Sequence, residues 1–256
     1  MHPRIHAETQ PDKLALVMAR SGESVTYAEL ERRANRGSHA LRQLGLVNGD
    51  AVAIACDNRL EFFDVYWAAQ RAGLILVLLS ARLKTGEIAY IVGDSGAKVV
   101  LISDAMVDTA RDVAASRSAM PGVTQIVTIG PVEDLPDWQA LCAAMPDTPI
   151  ADEEIGGRMV YSSGTTGKPK GLKFASASGS PIQPNPGAVL FDHFYGLGKD
   201  SVYLCPAPLY HAAPMGITAG IQAVGGTAVV MSKFDPEEFL KAIERYRINA
   251  VMVVPT

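Results

Sequence analysis

Residues 158–174 read Arg158-Met159-Val160-Tyr161-Ser162-Ser163-Gly164-Thr165-Thr166-Gly167-Lys168-Pro169-Lys170-Gly171-Leu172-Lys173-Phe174. An apolar-ending stretch, Arg158 to Ser162, has the pattern of a buried strand, and Leu172 to Ala175 that of a second strand leaving the turn. Residues 161–171, which join them, carry four Ser and Thr hydroxyls, two lysines and closely spaced glycines. Glycine lets the backbone turn tightly and bring its N–H groups near a ligand. Hydroxyls and N–H groups donate to phosphate oxygens, and lysine adds charge. A polar turn between strands is the plain alternative, but the density and order of donors favour a loop that holds a polyphosphate. It is not a Walker loop, because no Gly-Lys here is followed by Ser or Thr.

Working outward, repeated strand–helix units fill the chain. Thr26 followed by Glu29 predicts a capping box and a helix to about Leu44, with Gly45 as its stop. Asp50–Cys56, Leu74–Leu79, Lys98–Ile102, Gln125–Ile129, Ser201–Leu204, Thr227–Met231 and Ala250–Val254 are the other expected strands. Helices are expected over Leu60–Ala72, Glu87–Val92, Asp104–Ala115, Asp137–Ala144 and Gly216–Val224. A further helix starts after Asp235, with Pro236 at its first position, and ends near Arg247. Phe63, Tyr66 and Trp67 fall at helical spacing as core residues. The alternation of β-branched strands with helices predicts an α/β fold of mostly parallel, helix-covered sheets. Two Pro-containing segments interrupt the rhythm. Gly130–Ala151 reads as a subdomain junction, placed near 130–156, and Ala175–Gly187 as a loop, either lid or surface connection.

The chain has 256 residues, enough for one large or two small domains with a sizeable core. A net charge of −4 without a basic cluster argues against nucleic acid. Cys56, Cys142 and Cys205 have no metal-ligand spacing and read as buried free thiols in a reducing compartment, Cys205 lying near a site motif. Met1–Lys13 lacks an apolar signal core, and Leu74–Leu79 is too short to span a bilayer, so a cytoplasmic protein without a transmembrane segment is expected.

Residues 161–171 resemble the signature loop of the adenylate-forming superfamily: acyl-CoA synthetases, peptide-synthetase adenylation domains and luciferases. The family form, Tyr-Thr/Ser-Ser-Gly-Thr-Thr-Gly-x-Pro-Lys-Gly, fits at every position. The segment Pro206-Ala207-Pro208-Leu209-Tyr210-His211-Ala212-Ala213-Pro214-Met215-Gly216 is similar to the family's Pro-Leu-Phe/Tyr-His element after a strand. His6–Leu16, Val25–Leu30, Glu87–Val92 and Phe234–Thr256 match further family segments, so the likeness covers nearly the whole chain. Two stretches depart from it: Leu76-Val77-Leu78-Leu79-Ser80, where a Pro and an Asn are usual, and Leu172-Lys173-Phe174-Ala175, where many members read Ser-His-Arg-Asn.

The resemblance implies an AMP-forming acyl-CoA synthetase that activates a small-molecule carboxylate, a fatty acid foremost, with ATP, Mg2+ and coenzyme A. By that likeness Ser162, Ser163, Gly164, Thr165, Thr166, Gly167, Lys168 and Lys170 hold the phosphates, Lys170 being catalytic and Lys168 more exposed. Thr165 is the expected magnesium contact. His211 is the second catalytic candidate and, with Tyr210 and Met215, forms the acyl pocket. The family's later Tyr-Gly-x-Thr-Glu segment, its ribose-binding Asp and its C-terminal domain with the catalytic Lys do not occur here. Residues 1–256 therefore read as a partial N-terminal AMP-binding domain, inactive alone. An amino-acid or aromatic-acid adenylating enzyme and a non-catalytic nucleotide-binding remnant are the alternatives.

Overall fold

Runs of β-branched and aliphatic residues too short for helices decide the architecture. Ala51-Val52-Ala53-Ile54-Ala55, Ile75-Leu76-Val77-Leu78-Leu79 and Ala97-Lys98-Val99-Val100-Leu101-Ile102-Ser103 are almost completely enclosed. Burial on both faces is the signature of strands sandwiched between helices. The computed structural model describes residues 2–162, 169–174 and 193–253, and of Ser162 the backbone alone.

The chain divides into two compact units. The first holds the described residues up to Arg32, Asn58–Asp64, and those from 193 onward; the second holds Arg33–Asp57 and Val65 through 174. Residues 130–156, where the composition shift suggested a junction, lie within the second unit. Trp138 is fully buried there, which ties that stretch into the unit's core.

The second unit is a six-stranded sheet with β3 (Ala51–Ala55), β4 (Ile75–Leu79), β5 (Ala97–Ser103), β6 (Gln125–Ile129), β7 (Gly157–Ser162) and β8 (Lys170–Phe174). Their order is β6-β5-β3-β4-β7-β8, all parallel except the antiparallel β7–β8 edge pair. Alanines 51, 53 and 55 on one face of β3 join Val77, Val100, Ile88, Ile91 and Val113 in a single apolar cluster. Those last three come from α4 (Thr85–Ser95) and α5 (Val107–Ala115). The helix expected from Asp104 opens as a separate 3-10 turn, Asp104–Met106, because the Ser103 hydroxyl accepts from the Ala105 N–H and caps it.

The first unit is a five-stranded sheet in the order β11-β9-β10-β1-β2. β1 (Leu14–Met18), β9 (Val202–Cys205), β10 (Thr227–Val230) and β11 (Ala250–Val251) run parallel, while β2 (Ser24–Thr26) is antiparallel to β1. Val17, Leu204, Val229 and Met231 pack with Ala242, Phe239 and Ile243 of α8 (Pro236–Tyr246). Asp235 caps that helix, its carboxylate accepting from the Glu238 N–H at 2.9 Å. The sequence reading left out β1, β2 and the short α1 (Arg4–Thr9). The remaining helices are α2 (Tyr27–Gln43), α3 (Glu61–Arg71), α6 (Trp138–Ala143) and α7 (Ala212–Ala223). Among the described residues no helix is long and apolar enough to cross a membrane.

Candidate functional site

The candidate residues fall in both units, and each group has its own scaffold. In the second unit, β7 delivers the signature segment at the carboxyl end of the parallel strands. That is where α/β sheets present ligands. The chain leaves at Ser162 and returns at Lys170, whose Cα atoms are paired in the antiparallel β7–β8 ladder. The two ends of the motif are thus held one strand spacing apart. Ser163 to Lys168, which include Ser163, Gly164, Thr165, Thr166, Gly167 and Lys168 of the expected phosphate set, lie outside the described residues, as does the loop Ala175–Gly187. Lys170 is exposed at the start of β8.

Two side chains of α4 reach the stems of the motif. The Tyr161 hydroxyl donates to Asp94 Oδ2 at 2.7 Å. Burial, and after it the Asp94 carboxylate, pushes the Tyr161 phenol well above the usual tyrosine range. On the returning stem, the Tyr90 hydroxyl donates to the Pro169 carbonyl at 3.4 Å. Gly171 has a local reason of its own. A Cβ there would stand 2.5 Å from Met159 Cε and 3.0 Å from Tyr161 Cζ, so its bare backbone makes room for the cross-strand neighbour Tyr161. Its role in the fold is strand pairing, where the sequence reading had given it loop flexibility.

In the first unit, β9 ends at Cys205, and the turn Pro206–His211 leads into α7. His211 is the N-cap residue with extended backbone, φ −87° and ψ 144°. Its N–H donates to the Pro208 carbonyl and its own carbonyl accepts from the Met215 N–H, both at 3.2 Å. The imidazole takes no part in capping. It is exposed and tilts against the Tyr210 ring, with centroids 4.6 Å apart. The structure therefore brings Tyr210 and His211 together. Met215 differs: its side chain is fully buried on the inner face of α7, beside Thr218 and Ala219. Cys205 is likewise enclosed, and burial pushes its thiol up, against reactivity. Cys56 is also buried, but Cys142 is only partly so, in contrast to the expectation for all three.

Sequence reading missed Asn58, which lies two residues past the strand expected over Asp50–Cys56. The residue is 6% exposed. Oδ1 accepts from the Leu209 N–H at 2.8 Å, and Nδ2 donates to the carbonyls of Ala207 at 3.0 Å and Met231 at 2.8 Å. No local pattern announces this, since the partners lie about 150 and 173 positions along the chain.

Comparison with known proteins finds relatives over nearly the whole chain. Feruloyl-CoA synthase of Amycolatopsis sp is 32% identical over 243 residues, covering 94% of this chain and 46% of its own length. Long-chain fatty acid transport protein 1 of Mus musculus is 31% identical over 260 residues, 97% of this chain and 39% of its own. The chain spans about half the length of the curated relatives it matches, or less. Among solved structures, apo MbtA of Mycobacterium smegmatis superposes with a TM-score of 0.84 at 28% identity, over 99% of this chain and 47% of that one. The inhibitor-bound N-terminal domain of FACL13 from Mycobacterium tuberculosis gives 0.83 at 25% identity, over 99% and 62%. A family model described as AMP-binding enzyme matches residues 4–256, and on that match the chain belongs to the AMP-binding enzyme family.

Proposed function

We propose that this chain is the phosphate- and acyl-binding part of an AMP-forming acid–thiol ligase. A carboxylate oxygen attacks the α-phosphorus of ATP, giving an acyl-adenylate and releasing pyrophosphate. The sulfur of coenzyme A then takes the acyl group and AMP leaves. The observation that carries this reading is the pairing of Ser162 with Lys170, which holds the two ends of a motif rich in hydroxyls, glycines and lysines together at the carboxyl end of a parallel sheet. Charge builds on the phosphoryl oxygens during attack, and donors aimed at that charge lower the barrier.

By their chemistry, Ser162, Ser163, Thr165, Thr166 and Lys170 are the donors for the β- and γ-phosphates. Magnesium, which keeps much of its shell as water and phosphate oxygen, needs few ligands from the chain. The Thr165 hydroxyl is a hard oxygen donor suited to it. His211, standing exposed beside Tyr210, positions the acyl group. The acid is one with an apolar tail, a fatty acid first, as in the names of the fatty acid transport and medium/long-chain-fatty-acid ligase relatives. An aromatic acid is the second reading, favoured by the feruloyl- and 4-coumarate-named relatives. The 256 residues alone do not complete turnover, since they correspond to only 46% of the Amycolatopsis relative.

Carboxylate-dependent exchange of pyrophosphate into ATP tests the proposal in the longest product of the gene. Fatty and aromatic acids should support exchange, and Lys170→Ala should slow it tenfold or more. A charge-assisted contact worth about 1.5–3 kcal/mol corresponds to roughly that loss. An unchanged rate in Lys170→Ala removes Lys170 from the site, and no exchange with any acid in the native protein removes the ligase reading.

A further inference from the structure

We propose that Asn58 is a positioning residue that seats His211 by locking the turn in front of it. Its catalytic weight rests on the ligase reading above, whereas the structural part does not. The side-chain amide is buried, and both its Nδ2 hydrogens and one of its two Oδ1 lone pairs are used. Its orientation is set by these partners, because only Nδ2 can donate to two carbonyls while Oδ1 accepts an N–H.

The partners define what the amide does. Ala207 and Leu209 flank Pro208, which has no N–H of its own to offer a turn. Asn58 therefore supplies, from far away in sequence, hydrogen bonds that hold the backbone on both sides of that proline. Its third partner, the Met231 carbonyl, directly follows β10, and the Met231 N–H in turn donates to the Cys205 carbonyl at 3.0 Å. The turn is thereby fastened to the ends of β9 and β10. From Pro208 the order passes on through backbone: its carbonyl accepts the His211 N–H, and the His211 carbonyl starts α7. Leu209 is fully buried and anchors the same turn from inside. His211 has no capping bond to hold its ring, so the backbone at 207–211 and the Tyr210 ring against it govern where the imidazole points.

Asn58→Asp tests this with the least change in shape. It keeps an acceptor for Leu209 but loses both donated bonds and sets a carboxylate oxygen against two carbonyls. The first readout is the imidazole NMR signals of the folded chain. Those of His211 should shift and those of His39, which bonds the Thr148 carbonyl in the other unit, should not. The second is kinetics in the longest gene product. kcat/KM for the carboxylate should fall by about tenfold to a hundredfold, as expected when a reacting group is misplaced by about 1 Å, while KM for ATP stays within about twofold. A folded Asn58→Asp with unmoved His211 signals overturns the proposal whatever the kinetics. Moved signals in a native protein that shows no carboxylate-dependent chemistry uphold the positioning role and sink the ligase reading instead. Should the variant fail to fold, the native protein decides. The Leu209 amide and Asn58 carboxamide protons should exchange at least about 100-fold slower than in unstructured chain, and free exchange of either overturns the proposal.

Discussion

Replacing Gly156 with alanine tests how closely the stem of the candidate motif is built. Gly156 has no side chain, yet it sits where three backbone groups converge just before β7. A Cβ there would lie 2.6 Å from the Leu74 oxygen, 2.7 Å from the Ala69 oxygen and 2.8 Å from Gln70 Cα. Ordinary contact begins at 3.4 Å, so something must move by 0.6–0.8 Å. None of the three is the loose end of a side chain. Ala69 and Gln70 belong to α3, and Leu74 leads into β4. Moving Gly156 instead strains its 2.7 Å bond to the Gln70 carbonyl and the 2.9 Å bond from the Gly157 N–H to Leu74. Overpacking costs about 1–3 kcal/mol, and a weakened hydrogen bond about 1 kcal/mol. The stiffer unfolded chain returns about 0.4–1 kcal/mol. The net is a loss of about 2 kcal/mol, or a Tm lower by about 4–8 °C. Both tryptophans, Trp67 and Trp138, are buried in the same unit, so their fluorescence on heating reports this loss directly. Gly93, on α4 with nothing within 4 Å of its would-be Cβ, is the control. Its alanine variant should gain about 0.5–1 kcal/mol from helix propensity. A Gly156→Ala melt within about 1 °C of the parent, alongside a stabilised Gly93→Ala, refutes the reasoning from backbone contacts.

Three further outcomes follow from the geometry. Burial, partly offset by the bond between His6 Nε2 and the Ala223 carbonyl, holds the His6 imidazole below its usual value. The unfolded chain therefore binds the extra proton first, and stability present above about pH 6.5 is lost as pH falls through the folded value. Urea midpoints for His6→Gln between pH 5 and pH 8 should show a flatter dependence than the parent, and parallel curves exclude His6 as the source. In the native chain one thiol, Cys142, should react promptly with a disulfide reagent, with Cys56 and Cys205 following only on denaturation; prompt reaction of more than one refutes the burial assignment. A double-mutant cycle of Tyr161→Phe and Asp94→Asn should give a coupling of about 0.5–1 kcal/mol, small because Asp94 is solvent-exposed. A coupling of zero means that the 2.7 Å contact does not tie α4 to the motif's outgoing stem.

The strands of the second unit were legible because burial on both faces leaves an unbroken apolar run, as in Ile75–Leu79. What such a run does not reveal is its neighbour. Leu16 pairs with Ala228 and Tyr203 with Ala250, contacts set by tertiary packing over more than 200 and more than 40 residues. That is why one alternating pattern became two sheets. β1 and β2 escaped for local reasons: β2 has three residues and runs straight into the Thr26 cap of α2, too short to show alternation. Pro and Asp near Gly130 look like punctuation, but the Asp137 and Gln139 side chains both accept from the Gly130 N–H and fold that stretch back onto itself.

The candidate site was legible where chemistry is concentrated and illegible where it is merely supported. On the ligase reading proposed above, hydroxyls, glycines and lysines crowd into residues 161–171 because each would address the same few phosphate oxygens, and that crowding is visible in one dimension. The groups that hold such a segment act singly, from whichever element the fold brings alongside. Asp94 reaches Tyr161 across 67 positions, and Asn58 reaches Leu209 across 151. Nothing obliges a supporting residue to resemble its neighbours in sequence; it must only be polar and brought by the fold within hydrogen-bond reach. Gly156 is the same case in negative, since its contribution is an absent side chain under three backbone groups. The proposed phosphate set and its supports therefore answer to different pressures. The first is constrained by the shape of the ligand and lies together in sequence. The second is constrained by the sheet, and is found by asking which buried polar atoms have partners that no local turn requires.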